Sequence, residues 1–92
     1  MSSAKLEIIT PDSMFYSGDV DILMADTVGG EEGYMPRHVW CCKLLKENGK
    51  VKLREAGAPA GPEGLKTAVI KGGYVEIRDH FVVYTEGAEW EE

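Results

Sequence analysis

The sequence predicts an all-β fold, an antiparallel β-sandwich or flattened barrel of about eight to ten short strands. Three observations carry that expectation. Apolar and polar residues alternate at period two over short segments. Clusters of Gly, Pro, Asn, Asp and Ser interrupt those segments at close spacing. No stretch carries the 3.6-residue apolar period of an amphipathic helix of useful length.

Taken in order, Lys5-Leu6-Glu7-Ile8-Ile9-Thr10 places Leu6 and Ile8 on one face, and Pro11-Asp12-Ser13 ends the run. Met14-Phe15-Tyr16 reads as a short second strand, with Ser17-Gly18-Asp19 turning the chain again. The clearest strand pattern spans residues 20–26, where Val20, Ile22 and Met24 share a face that the alternation points at the core. Residues 29–38 combine three glycines with Pro36, so they are expected to form a loop rather than regular ladder. Residues 39–45 are β-prone and apolar on both faces at their start, and Asn48-Gly49 is a hairpin-turn signal. Val51 and Leu53 alternate with charged residues as a half-buried strand, and residues 56–64 lack periodicity and carry two prolines, which predicts a loop. Residues 65–85 read as a meander of three strands turned at Gly72-Gly73 and Asp79-His80. The tail from Glu86 is acidic and helix-compatible, yet too short to form a helix alone.

Composition narrows the function classes. A chain of 92 residues has room for one domain, which on size scaling buries about 60 to 65% of its unfolded surface. Sixteen acidic against ten basic residues give a net charge of −6, opposite in sign to the basic footprint that nucleic acid requires. No apolar run approaches the ~20 residues of a spanning helix, and the N-terminus lacks a secretory apolar region, so a cytosolic chain is expected. Cys41 and Cys42 are adjacent, where a disulfide would be strained, and are read as free thiols in a reducing compartment. Successive strand residues face opposite ways, so the two thiols do not readily bind one metal ion. His38 near Cys41 and Cys42 lacks an orienting third group, and Gly49-Lys50 lacks the upstream glycine of a phosphate loop. Glu31 and Glu32 form an acidic pair read as solvated or partner-facing. Neither a catalytic centre nor a cofactor or metal site is expected.

The ordered set Leu6-Glu7-Ile8-Ile9-Thr10-Pro11, Phe15-Tyr16-Ser17-Gly18-Asp19-Val20, Gly30-Glu31, Gly33, Pro36, His38, Gly49-Lys50-Val51, Gly72-Gly73-Tyr74-Val75-Glu76-Ile77 and Ala88-Glu89 resembles the epsilon subunit of F-type ATP synthases. The resemblance runs through almost the whole chain. It implies an N-terminal β-sandwich at the foot of the rotor stalk, held against the gamma subunit and the membrane c-ring as a non-catalytic coupling element. That would make it a peripheral protein at the cytoplasmic face of the plasma membrane, meeting the membrane only through the c-ring. Glu31 and Glu32 correspond to the c-ring-facing loop, and Arg37, His38, Val39 and Trp40 to the gamma interface. The resemblance also implies a boundary, with residues 1–87 as the sandwich and 88–92 as the start of a C-terminal helical region otherwise absent from this chain. Arg37 replaces a glycine common in the family, Trp40-Cys41-Cys42 is bulkier than usual, and the loop at 56–64 is longer and richer in proline. A stand-alone small-ligand or peptide-binding sandwich, with its site at residues 29–38, is the alternative from another class.

Overall fold

The computed structural model describes residues 3–35 and 40–91. Their strands are, in chain order, β1 (Ala4–Ile9), β2 (Met14–Thr27), β3 (Gly30–Tyr34), β4 (Cys41–Leu44), β5 (Glu47–Glu55), β6 (Leu65–Lys71), β7 (Tyr74–Ile77), β8 (Phe81–Tyr84) and β9 (Ala88–Trp90). A 3-10 turn at Pro62–Gly64 precedes β6. Hydrogen bonds join these strands into one open sheet of order β4-β7-β8-β1-β2-β5-β6-β9, with β3 also paired to β2. Neighbours are antiparallel except for the parallel pair β1–β8.

The long strand β2 turns this sheet into a sandwich. Its first half pairs with β1 and its second half with β3 and β5, so it passes from one layer to the other. The first layer holds β4, β7, β8, β1 and the start of β2; the second holds the end of β2 with β3, β5, β6 and β9. Leu6, Ile8, Val75, Ile77, Phe81 and Val83 of the first layer meet Leu23, Ala25, Val51, Leu53 and Ile70 of the second in one buried cluster. Fully burying each such aliphatic side chain is worth about 1.5–3 kcal/mol, which makes this cluster the main stabilising feature. The all-β sandwich expected from the sequence is therefore the fold observed.

Several local expectations need correction. Ser17-Gly18-Asp19 does not turn the chain but continues β2, each residue pairing with β1. Gly18 permits this by leaving room for the Tyr16 side chain, whose hydroxyl would lie 2.6 Å from a Cβ there. The core face of β2 also changes phase. A register irregularity between Val20 and Ile22 adds a residue, so Leu23 and Ala25 are buried beyond it while Ile22 and Met24 are only half-buried. Asn48-Gly49 forms no two-residue hairpin, because β4 pairs with β7 and β5 with β2 and β6. Instead Asn48 adopts a left-handed conformation (φ 60°) inside β5, where the register shifts between Glu47 and Lys50. Gly72-Gly73 likewise carries the chain between layers, so residues 65–85 contain one hairpin, β7–β8, and not a three-stranded meander.

The tail gives the last correction. Ala88–Trp90 is not the start of a helix but strand β9, antiparallel to β6, and the sandwich extends past the boundary expected at residue 87. Its partners explain it: Trp90 lies opposite Ala68 and Ala88 opposite Ile70, both buried positions of β6.

Candidate functional site

The acidic segment singled out from sequence is strand, not loop. Gly30–Tyr34 pairs residue by residue with β2, from Thr27↔Gly30 to Leu23↔Tyr34. The hairpin tip is Val28-Gly29 and Val28 is 70% exposed. Alternation then sends the two carboxylates to opposite faces. Glu31 points outward, with Lys52 Nζ 3.6 Å away on β5. Glu32 points inward, accepts a 2.7 Å hydrogen bond from the Tyr34 hydroxyl and has Lys43 Nζ of β4 at 3.8 Å. The two glutamates therefore cannot act together as an acid/base pair. Burial, reinforced by Glu32, holds the Tyr34 phenol well above the ordinary tyrosine range.

A matching arrangement lies across β2, β5 and β6. The Tyr16 hydroxyl donates a 2.8 Å hydrogen bond to Glu55 Oε2, and Lys66 Nζ lies 3.3 Å from Glu55 Oε1. Burial and then Glu55 raise the Tyr16 phenol, while the Tyr16 hydrogen bond and then Lys66 lower the Glu55 carboxyl. Trp90 of β9 packs over this group, its ring centroid 4.8 Å from Phe15 and 5.8 Å from Tyr16. Two Tyr–Glu–Lys sets thus join strands, one across β3 and β4 and the other across β2, β5 and β6.

The surface with an evident capacity to bind is the outer face of the first layer. Cross-strand pairing lines up Leu44, Tyr74, Tyr84, Ile9 and Met14 from β4 to β2 as one apolar row. Leu44 is 63% and Met14 49% exposed, at the two ends of the row. Tyr74 and Tyr84 stack at 4.8 Å with an interplanar angle of 27°. Beside them lies an open cleft of about 400 Å³ lined by Ile9, Thr10, Pro11, Gly73, Thr85 and Glu86 together with the two tyrosines. Gly73 is required there: its φ is +105°, and a Cβ would meet the Tyr84 carbonyl oxygen at 1.8 Å. An exposed apolar row of this kind makes this face the candidate interaction surface.

Trp40 adjoins this face, 62% exposed and 5.9 Å from the Arg78 guanidinium. Arg37, His38 and Val39, singled out with it from sequence, lie outside the described residues. Cys41 is half-buried opposite Ile77 and Cys42 is exposed opposite Glu76, on opposite faces of β4 as the alternation requires. No group of three or more His, Cys, Asp or Glu able to hold a metal occurs among the described residues.

Sequence reasoning missed the row because two of its four cross-strand pairs, Leu44↔Tyr74 and Ile9↔Tyr84, join strands far apart in sequence. Two local signals were available, the first being the turn at residues 11–13 that sets Met14 opposite Ile9. A hairpin centred on Asp79-His80 sets Ile77 opposite Phe81 and hence Tyr74 opposite Tyr84.

With this geometry in hand, comparison with known proteins is specific. A family model described as "ATP synthase, Delta/Epsilon chain, beta-sandwich domain" matches residues 3–91. The ATP synthase epsilon chain of Alkaliphilus metalliredigens is 36% identical over 92 residues, covering 99% of this chain and 63% of that protein. That of Alkalihalophilus pseudofirmus is 33% identical over 90 residues, covering 97% of this chain and 62% of the relative. The chain thus spans just over three-fifths of the length of these relatives. In the cryo-EM structure of the Euglena gracilis mitochondrial ATP synthase, OSCP/F1/c-ring in rotational state 1, one chain shares the fold with a TM-score of 0.83 at 19% identity, over 98% of this chain and 54% of that one. The doubled-over sheet and a match spanning nearly every residue lead to one conclusion: this chain belongs to the family of ATP synthase delta/epsilon chain β-sandwich domains.

Proposed function

We propose that this chain is the sandwich domain of a non-catalytic rotor subunit of F-type ATP synthase, seated between the gamma subunit and the c-ring and coupling proton transport to ATP synthesis. Its place would be the cytoplasmic face of the plasma membrane, peripheral and held there through the c-ring. Relatives named ATP synthase epsilon chain support the class of complex. The observation that carries the interface is the apolar row Leu44-Tyr74-Tyr84-Ile9-Met14 on a solvent-facing sheet. A sheet backed by a close-packed core suits a torque-bearing seat, since packed interiors deform little.

In this reading the row and Trp40 face gamma, with Arg37, His38 and Val39 assigned to the same interface from sequence. The Val28-Gly29 tip, with Glu31 beside it on β3, faces the c-ring, while Glu32 on the other face of β3 is engaged by Tyr34 and Lys43. The alternative of a free-standing ligand module at residues 29–38 is disfavoured: Tyr34 is buried and Glu32 is turned inward.

Leu44→Asp tests the seat. Leu44 is exposed, so the fold is expected to survive while affinity for the purified cognate gamma subunit falls by ~10-fold or more, as for an apolar anchor in an interface. Undiminished affinity in a folded variant would remove the row from the interface.

A further inference from the structure

We infer that Asn48 is a site of spontaneous main-chain modification, cyclisation to a succinimide followed by opening to aspartate or isoaspartate, and that the bulge in β5 holds this reaction back while the chain is folded. The chemistry needs no partner beyond water. The Gly49 amide nitrogen loses its proton and attacks the carbonyl carbon of the Asn48 side chain, and the new C–N bond closes a five-membered ring as ammonia leaves. Water then opens the ring at either carbonyl. A carboxylate replaces the amide, and the isoaspartate product carries one extra methylene in the main chain.

The sequence confines the reaction to one position. Asn48 is the only asparagine in a chain that has no glutamine, and the residue after it is glycine. It is exposed, and Gly49 has no side chain to shield the attacking nitrogen.

The fold restrains the groups that ring closure must move. Gly49 is buried and donates its N–H to the Lys46 carbonyl at 3.0 Å, so the attacking nitrogen is already engaged. Asp26 of β2 fastens both ends of the bulge: its carbonyl accepts the Lys46 N–H at 2.8 Å and its carboxylate accepts the Lys50 N–H at 2.9 Å. The space around Gly49 is closed as well, since a Cβ there would lie 2.9 Å from the Asp26 Cβ and 3.0 Å from the Lys46 carbonyl oxygen. Asn48 itself is held at φ 60°, between Glu47 paired with Lys71 and Lys50 paired with Val69. Ring closure therefore requires a local opening of residues 46–50, and its rate follows the population of that open state. The isoaspartate product does not fit the closed bulge, because its extra methylene lengthens the path between the two backbone groups that Asp26 binds.

The test incubates the full chain in mildly alkaline buffer, native and in guanidinium chloride, and follows the amide-to-acid mass change, which Asn48 alone can produce. The native chain is expected to react roughly 10- to 100-fold more slowly than the unfolded one. Asp26→Ala, checked for fold by circular dichroism, is expected to speed the native reaction by roughly 3- to 30-fold and to leave the rate in guanidinium unchanged. The separated isoaspartate form is expected to unfold at lower urea concentration than the parent. Equal rates in the native and unfolded parent would overturn the restraint without recourse to any variant, and a folded Asp26→Ala chain reacting no faster than the parent would remove Asp26 from it. Absence of the mass change in guanidinium would overturn the site itself, and an unchanged urea midpoint would show that the bulge accommodates the product.

Discussion

At the scale of single residues, two tyrosines join neighbouring strands through buried or half-buried phenols. Tyr34 donates to Glu32 and Tyr16 to Glu55, and in both cases burial is the first cause of a raised phenol pKa, with the carboxylate adding to it. The sign for stability follows directly. A folded-state pKa above the unfolded value near 10 means these contributions are intact below about pH 10. They are lost as the pH rises from there towards the folded values. Glu55 runs the opposite way: its lowered pKa contributes above the ordinary carboxylate value and is lost as the pH falls through the folded one. Tyr34→Phe is therefore expected to remove a late component from the alkaline tyrosinate absorbance titration and to reduce the fall of the urea midpoint above pH ~10. Loss of a component at the ordinary tyrosine pH instead would show that Tyr34 ionises like an exposed phenol. Neither pairing was legible in the sequence. Glu32 and Tyr34 share a face by alternation, but nothing local announces Lys43 above them, and Tyr16 meets Glu55 across 39 residues.

At the scale of elements, the legible strands were those whose pattern is set locally. Leu6 and Ile8 of β1 and Val51 and Leu53 of β5 are fully buried as their alternation predicts, because neither pair spans a register irregularity of its own strand. The core face of β2 was misread beyond Val20 because the irregularity at Val20/Ile22 is imposed where the strand crosses between layers, and the alternation alone does not record it. The tail was misread because three residues are too few to show a period; β9 exists through its partners. Its ladder with β6, the Trp90–Phe15 stack and the 2.7 Å Lys50–Glu91 contact hold it in place. Trp90→Ala is accordingly expected to cost about 0.5–1.5 kcal/mol from the lost ring packing alone and to speed hydrogen exchange of the β6–β9 ladder amides. Exchange rates there equal to those of the parent would mean that Trp90 does not fasten β9.

At the scale of the whole molecule, strands far apart in sequence complete both the core and the binding face. β1 pairs in parallel with β8, and β4 with β7, so the outer row of the first layer exists only once the chain is folded. This is why the fold class was readable and the candidate site only in part. Glu31 and Trp40 could be named from their neighbours, but Leu44, Ile9 and Met14 could not be joined to the tyrosines without the pairing. The two outer faces also differ in character. Both outer faces carry ion pairs, Lys5–Glu7 and Arg78–Glu76 on the first layer and Lys50–Glu91 and Lys52–Glu31 on the second, but the first also carries the apolar row and the cleft. That asymmetry gives the sandwich a front and a back, and the proposed function assigns the front to the stalk.

Hydroxyl-radical footprinting of the full chain, alone and saturated with the purified cognate gamma subunit, reads that assignment most directly. Shielding of Met14, Leu44 and Tyr74 on binding, with Met24 and Leu65 of the second layer unchanged, is the expected result. Shielding of the second-layer residues with the row left reactive would contradict it.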